Sequence, residues 1–164
     1  MKPVLHSFAY SLDFLREQVA DVAAPDLVAQ PAGMVNHPVW TIGHLIFICQ
    51  LLGGVVGLSE WLPVDWEKRF GSGSIPVSDG SLYENKDNLL ALLGEAQQNI
   101  TLVVEQLDDS VLNKPFPDET YLDVFPSIRH AFTQVLTAHT AFHIGQVSVW
   151  RRLMGLTAMQ RSFE

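Results

Sequence analysis

Charged side chains are scarce in this sequence, and basic ones are the scarcest. The 164 residues include ten Lys or Arg against 18 Asp or Glu, which gives a formal net charge of −8. An acidic chain repels phosphate backbones, so we expect no nucleic-acid partner. The hydrophobic fraction of 48% excludes intrinsic disorder. The length fits one domain, and we expect residues 1–164 to form it.

Cysteine occurs once, as Cys49, so no disulfide can form within the chain. This composition fits a reducing compartment, and His6 and Asp13 interrupt any secretory apolar segment near the N-terminus. Both observations predict a cytoplasmic location. Cys49 itself is expected to be a small buried hydrophobe and not a ligand or nucleophile.

One long segment carries no charge: Asp, Glu, Lys and Arg are all absent from Leu27 to Ser59. Its part Val39–Leu58 is apolar and long enough to span a bilayer. His44 and Gln50 within it, and the lack of basic residues on its flanks, argue against that interpretation. We expect a helix buried in a core or a subunit interface, with no membrane partner.

Four segments repeat apolar residues in steps of three and four, which predicts four amphipathic helices. They run from about Val4 to Ala23, Pro38 to Leu58, Ser81 (a capping-box pattern) to Leu107, and Pro126 to Gly155. The stripe that the fourth helix should turn inward is Ile128, Phe132, Val135, His139, Phe142, Gln146, Val149 and Leu153. Long connections join the second helix to the third, at about 59–80, and the third helix to the fourth, at about 108–126. No strand pattern competes, so an all-α four-helix bundle with two long connections is predicted.

Three histidines are candidate metal ligands. His139 and His143 are four residues apart on the fourth helix and therefore share one face. His44 lies on the apolar stripe of the second helix, where a polar ring needs a partner or a ligand. Two imidazoles one helical turn apart can converge on one ion, with the third supplied by another helix. The alternative is that all three are core histidines satisfied by hydrogen bonds.

The other histidines are interpreted without a metal. His6 is expected to be solvated, His37 to take part in the turn before Pro38, and His130 to face away from His139. No nucleophile elbow, phosphate loop or dinucleotide fingerprint occurs, so no catalytic residue can be named. Glu119 and Asp123, in the second long connection, are the only candidates for a general base.

Two motifs resemble those of one family. Asn36-His-Pro-Val-Trp40-Thr-Ile-Gly43-His44-Leu45 resembles the N-x-x-x-W-x-x-G-H-L signature of DinB/YfiT-like metal-binding proteins. The segment His139-Thr-Ala-Phe-His143-Ile-Gly-Gln146 resembles their H-x-x-x-H-x-G-Q signature. The resemblance implies the family's four-helix bundle over the whole chain, with His44, His139 and His143 as ligands of a divalent transition metal, zinc or nickel. It also implies a homodimer formed through bundle helices.

Characterised members of this family include transferases and isomerases that depend on low-molecular-weight thiols, and many others are described as metal-dependent hydrolases. The resemblance therefore implies a metal-dependent transferase or hydrolase that acts on a small molecule, and a low-molecular-weight thiol as a candidate cofactor. We expect Trp40, Phe47 and the 59–80 loop to line its pocket. Asn36 and Gln146 would orient a ligand or a water molecule. The alternatives are a non-catalytic bundle dimer, stabilised by the metal or free of it.

Overall fold

The structure is a computed structural model that describes residues 1–159. In chain order the helices are α1 (Lys2–Ala20), α2 (Pro38–Val55), α3 (Trp66–Phe70), α4 (Lys86–Gln106), α5 (Asp109–Leu112), α6 (Ile128–Gln134) and α7 (Thr140–Leu153). A π-helical turn, Val135–His139, joins α6 and α7 into one long fourth helix. No strand occurs in residues 1–159. The predicted all-α bundle with two long connections is confirmed.

Helix α1 follows its sequence pattern. The predicted stripe is buried, with Phe8, Leu12, Leu15 and Val19 each at most 1% exposed. Burying four such side chains contributes roughly 1.5–3 kcal/mol each before the entropy cost of folding is counted. The helix ends at Ala20, three residues before the predicted end, and the chain turns through Val22 into a short 3₁₀ segment, Ala24–Val28.

Helix α2 is the centre of the bundle. It is the one helix of residues 1–159 that is long and apolar enough to pass a membrane-span test, and 72% of it is buried inside the chain. It packs against α4, α3 and α7, so its own chain covers it without a subunit interface. Its first turn is capped by His37, whose Nδ1 accepts the backbone N–H of Trp40 at 3.1 Å. The turn role predicted for His37 is confirmed.

Helix α4 begins later than the capping-box pattern indicates. Ser81 lies in a 3₁₀ turn, Gly80–Leu82, and Asp79 accepts its backbone N–H. The cap of α4 is Asn85, whose Oδ1 accepts the backbone N–H of Asn88 at 2.9 Å. The start at Ser81 is therefore wrong: Ser81 belongs to the separate turn that Asp79 caps, and Asn85 supplies the cap of α4.

The predicted inward stripe of the fourth helix is correct only in its first half. Ile128 and Phe132 are buried, but Phe142, Val149 and Leu153 are 65%, 46% and 46% exposed. The residues that α7 buries are Thr140, His143, Ile144, Val147, Trp150 and Arg151. The π-helical turn places one extra residue in one turn and so rotates everything after it by about 100°. A uniform period of 3.6 cannot anticipate that shift.

The contacts between helices set their directions. Lys86, at the start of α4, donates to the carbonyl oxygens of Ala20 and Val22 at the end of α1, so these two helices run antiparallel. Asn36, just before α2, donates to Gln146 in the middle of α7, while His44 lies beside His139 at the start of α7, so α2 and α7 are also antiparallel. The centre of α2 is thereby brought against the start of α7.

A buried arginine joins the end of α1 to the end of α7. Arg151 is 1% exposed and donates to both carboxylate oxygens of Asp21, at 2.7 and 3.0 Å. It also donates to the carbonyl oxygens of Gln18 and Thr157. The hydrogen bonds from Arg151 to the Asp21 carboxylate lower the pKa of that carboxyl below its usual 3.8.

Replacing Asp21 with Asn should lower the free energy of unfolding by about 1 kcal/mol at neutral pH, because buried Arg151 loses its counter-charge. The folded-state pKa of Asp21 lies below its unfolded value, so its contribution is present above about pH 4 and is lost as the pH falls through the folded value. Urea unfolding of the two proteins should show a difference at pH 7 that shrinks as the pH is lowered through the folded-state pKa of Asp21.

The matched control is Asp13→Asn, which removes the partner of Arg16 in an exposed pair three residues apart. Such a pair within one helix contributes about 0.2–0.5 kcal/mol, so Asp13→Asn should have the smaller effect. Equal effects of the two substitutions at pH 7 would contradict the role assigned to the Asp21–Arg151 pair.

Candidate metal centre

The three predicted histidines meet where α2 crosses the start of α7. One ring nitrogen from each of His44, His139 and His143 lies within 4.8 Å of the other two. Nε2 of His44 and Nε2 of His139 are 3.4 Å apart. Two nitrogens held at about 2.0–2.1 Å from a tetrahedral zinc ion lie roughly 3.4 Å apart. The spacing of this pair therefore suits one ion bound between the rings.

The orientation of His44 is set by a main-chain atom of α3. Nδ1 of His44 donates to the carbonyl oxygen of Phe70 at 2.7 Å. In a neutral imidazole the other ring nitrogen then keeps its lone pair. Nε2 of His44 thus faces His139 as an electron-pair donor, which is the arrangement that metal-binding histidines commonly adopt.

The absence of a side chain at Gly43 makes this bond possible. A Cβ atom at that position would lie 2.2 Å from Cδ1 of Phe70, far closer than two carbon atoms can approach. The ring of Phe70 instead lies directly against the backbone of α2. Nε1 of Trp66 donates to the carbonyl oxygen of Gly43 at 3.0 Å and holds the other end of α3. The glycine of the first motif is explained by this packing.

Trp40 forms a wall of the site. Its ring stacks on His44 with the centroids 4.7 Å apart and the planes 8° from parallel. Nε1 of Trp40 donates to the hydroxyl of Ser74 at 2.8 Å, which ties the wall to the 59–80 connection. Trp40 therefore restricts the tilt of the His44 ring and is 5% exposed.

Asn36 and Gln146 join the two motifs beside the histidines. Nδ2 of Asn36 donates to Oε1 of Gln146 at 3.2 Å. Gln146 follows His143 by three residues on α7. A hydrogen bond between their side chains has a raising effect on the pKa of His143, which is smaller than the lowering effect of burial. Because its oxygen is engaged by Asn36, the Gln146 amide is fixed with its N–H groups available for another acceptor.

Burial keeps the three imidazoles neutral. Burial, together with the smaller effect of the positive charge that a neighbouring His44 would carry, lowers the pKa of His139 and of His143 to about 4. Burial also lowers the pKa of His44, against a raising effect of its bond to the Phe70 carbonyl. Near neutral pH all three rings therefore have a lone pair free of protons, as metal binding requires.

No Asp, Glu, Lys or Arg side chain contributes to these pKa shifts within the described chain. Glu119 and Asp123, the two candidate bases, are both exposed. Nδ1 of His139 and Nδ1 of His143 are buried without a hydrogen-bond partner among residues 1–159. The donor set of three neutral, partly unsatisfied imidazoles fits a divalent transition ion.

The remaining candidate residues are one cysteine, two histidines and one phenylalanine. Cys49 is 2% exposed, and burial raises the pKa of its thiol to about 12, so it is the inert core residue that the sequence indicates. His6 and His130 are exposed, as predicted. Phe47 is 5% exposed in the core, and its place in a substrate pocket stays a prediction.

Several residues of the site escape sequence reasoning. The Phe70 carbonyl is a main-chain atom, and no side-chain pattern can indicate its role. Ser74 lies in a glycine-rich run that resembles an ordinary flexible loop. The one usable signal is the cluster Trp61, Trp66 and Phe70 inside the 59–80 connection, since a loop rich in aromatic residues has to pack against something.

Comparisons with known proteins agree with this geometry. The sequence profile of the DinB superfamily matches residues 9–147. A crystal structure of a conserved protein from Enterococcus faecalis superposes with a TM-score of 0.77, over 94% of this chain and 96% of that one. At 16% identity that likeness concerns the fold alone. No curated protein sequence matches the chain significantly.

Replacing Gly43 with Ala should displace Phe70 and release His44 from its carbonyl acceptor. Loss of such an orienting hydrogen bond typically weakens metal binding by about 10–100-fold. Competition with a chelator for zinc measures this change. The matched control is Gly54→Ala on the same helix, where a Cβ meets nothing within 4 Å. Weakening by both substitutions, or by neither, would contradict the role of the close approach at Gly43.

Proposed function

This chain belongs to the DinB superfamily, and on that premise we propose that it binds one divalent transition-metal ion through His44, His139 and His143. The observation that carries the proposal is the convergence of three neutral ring nitrogens within 4.8 Å. Zinc and nickel are the proposed ions, because both accept imidazole ligands. Which of them is bound depends on availability as well as on affinity.

We propose further that the bound ion serves catalysis. Structural zinc sites are usually closed by four protein ligands, whereas catalytic sites have three and keep a position open. No fourth ligand joins these three histidines in the described chain. When bound, an ion with three neutral ligands keeps its full charge and lowers the pKa of a coordinated water or thiol. The proposed reaction class is thiol-dependent transfer or hydrolysis of a small molecule.

The residues around the histidines have defined tasks in this proposal. The Phe70 carbonyl keeps the proton of His44 on Nδ1, and Trp40 holds the ring plane. The Asn36–Gln146 pair presents amide N–H groups that can orient a polar group of a ligand. Because no carboxylate of residues 1–159 contributes to the pKa shifts of the rings, this part of the chain offers no acidic side chain as a base there. The substrate or its thiol partner would therefore supply the group that loses a proton.

A purely structural role for the ion is the main alternative. The protein has a large apolar core that does not depend on the histidines, with Ile46, Phe70, Leu93, Ile100 and Trp150 all fully buried. We therefore expect the metal-free protein to stay folded. A third possibility is that the histidines bind no metal. The 3.4 Å distance between Nε2 of His44 and Nε2 of His139 also permits an N–H···N hydrogen bond between the two rings.

We also propose a homodimer in the cytoplasm, with no nucleic-acid or membrane partner. The net charge of −8 disfavours nucleic acid, and the one membrane-length helix is largely covered by its own chain. Phe142, Val149 and Leu153 lie on one exposed face of α7 and would be covered by a second copy. Light scattering at low salt should return twice the mass of one chain. The mass of a single chain would contradict the dimer.

Replacing His139 with Ala should abolish stoichiometric metal binding, with a loss of affinity greater than about 100-fold, because one of three ligands is removed. Elemental analysis of desalted protein and zinc titration measure this. The control is His130→Ala, an exposed histidine on the same long helix that should bind metal like the parent. A parent protein that takes up neither zinc nor nickel would contradict the proposal.

Chelation separates the catalytic from the structural role. We expect the metal-free protein to retain its helical circular dichroism and cooperative unfolding, while any thiol-transfer or hydrolase activity found in a substrate screen disappears and returns with the metal. Unfolding of the bundle upon chelation would instead support the structural role.

A further inference from the structure

The π-helical turn of the fourth long helix ends at His139, the first residue of the His139–His143 pair. The backbone N–H of Thr140 bonds the carbonyl oxygen of Val135, five residues back. The Thr140 hydroxyl donates to the same oxygen at 2.9 Å. In an ordinary α-helix a threonine hydroxyl reaches the carbonyl three or four residues back. The hydroxyl bond of Thr140 is therefore specific to the wider turn.

The π-helical turn decides which face of α7 meets α2. Before it Phe132 is fully buried, and after it His143 and Trp150 are 7% and 0% exposed, while Phe142 is 65% exposed. If the turn closed to an α-turn, the helix beyond it would rotate by about 100° relative to α6. Core packing on both sides of the turn opposes that rotation and therefore depends on the π-helical form.

We propose that Thr140 is a positioning residue of the metal centre, whose hydroxyl stabilises the π-helical turn and thereby aims the His139 and His143 rings at His44. This inference rests on the proposed metal binding. It assigns a role to a residue that supplies no ligand atom, since Thr140 is 1% exposed and its hydroxyl is engaged by Val135. The turn is the reason that a 3.6-residue period misplaces the second half of the helix.

The argument depends on the hydroxyl and not on the volume of the side chain. Thr140→Val keeps the shape and β-branching but removes the donor, whereas Thr140→Ser keeps the donor. Thr101 provides a matched control on α4, because its hydroxyl donates at 2.8 Å to the carbonyl of Gln97, an ordinary bond four residues back. Thr101→Val therefore removes a comparable helix hydrogen bond away from the histidines.

The experiment compares zinc affinity, by competition with a chelator, and the absorption spectrum of the Co²⁺-loaded protein among these variants. Thr140→Val should weaken zinc binding about tenfold or more, as loss of an orienting contact typically does. It should also alter the Co²⁺ spectrum, which reports the arrangement of ligands. The zinc affinities of Thr140→Ser and of Thr101→Val should both lie within about threefold of the parent's, because neither change removes the orienting contact. If Thr140→Val does not fold, Thr140→Ala removes the same donor without added bulk.

Parent-like zinc affinity and Co²⁺ spectrum in Thr140→Val would overturn the inference while leaving metal binding intact. Equal weakening by Thr140→Val and Thr140→Ser would also overturn it, because the methyl packing and not the hydroxyl would then matter. A parent protein that binds no metal would overturn the proposed function and this inference together.

Discussion

The hydrogen bond from Nδ1 of His44 to the carbonyl oxygen of Phe70 is the contact on which the arrangement of the site depends. It fixes the tautomer of the one histidine that α2 contributes, in a core without charged partners for that ring. Three features allow this bond to form. Gly43, beside His44, leaves room for the ring of Phe70 to lie on the backbone of α2. The long 59–80 connection contains the short helix α3, which supplies the carbonyl oxygen. Without this bond only the stacking of Trp40 would restrain the His44 ring, and neither nitrogen would be assigned the proton.

The energetic setting explains why such support is needed. Placing three imidazoles together in an apolar interior leaves each with polar atoms to satisfy, at about 1–3 kcal/mol for each unpaired group. Burial keeps the rings neutral and so avoids the much larger cost of charge repulsion. A bundle with a large apolar core can sustain this local cost. A bound cation would turn the same arrangement into a favourable one.

Much of this architecture is readable from the sequence because its signals are repetitive. The apolar stripe of α1 and the charge-free α2 predict helices, and the spacing of His139 and His143 predicts a shared face. Single departures from regularity are not readable. The π-helical turn changes the register of α7 by one residue, so Phe142 is predicted inside and lies outside. The start of α4 depends on competition between Ser81 and Asn85 as caps. The role of the Phe70 carbonyl belongs to the main chain, which is the same at every residue.

The most direct test of the central claim is anomalous diffraction at the zinc absorption edge from crystals of the zinc-loaded protein. The account predicts one strong peak per chain, about 2.0–2.1 Å from one ring nitrogen each of His44, His139 and His143. It also predicts that Nδ1 of His44 remains bonded to the Phe70 carbonyl. A peak elsewhere, or His44 and His139 joined by a direct hydrogen bond with no ion between them at saturating zinc, would contradict it.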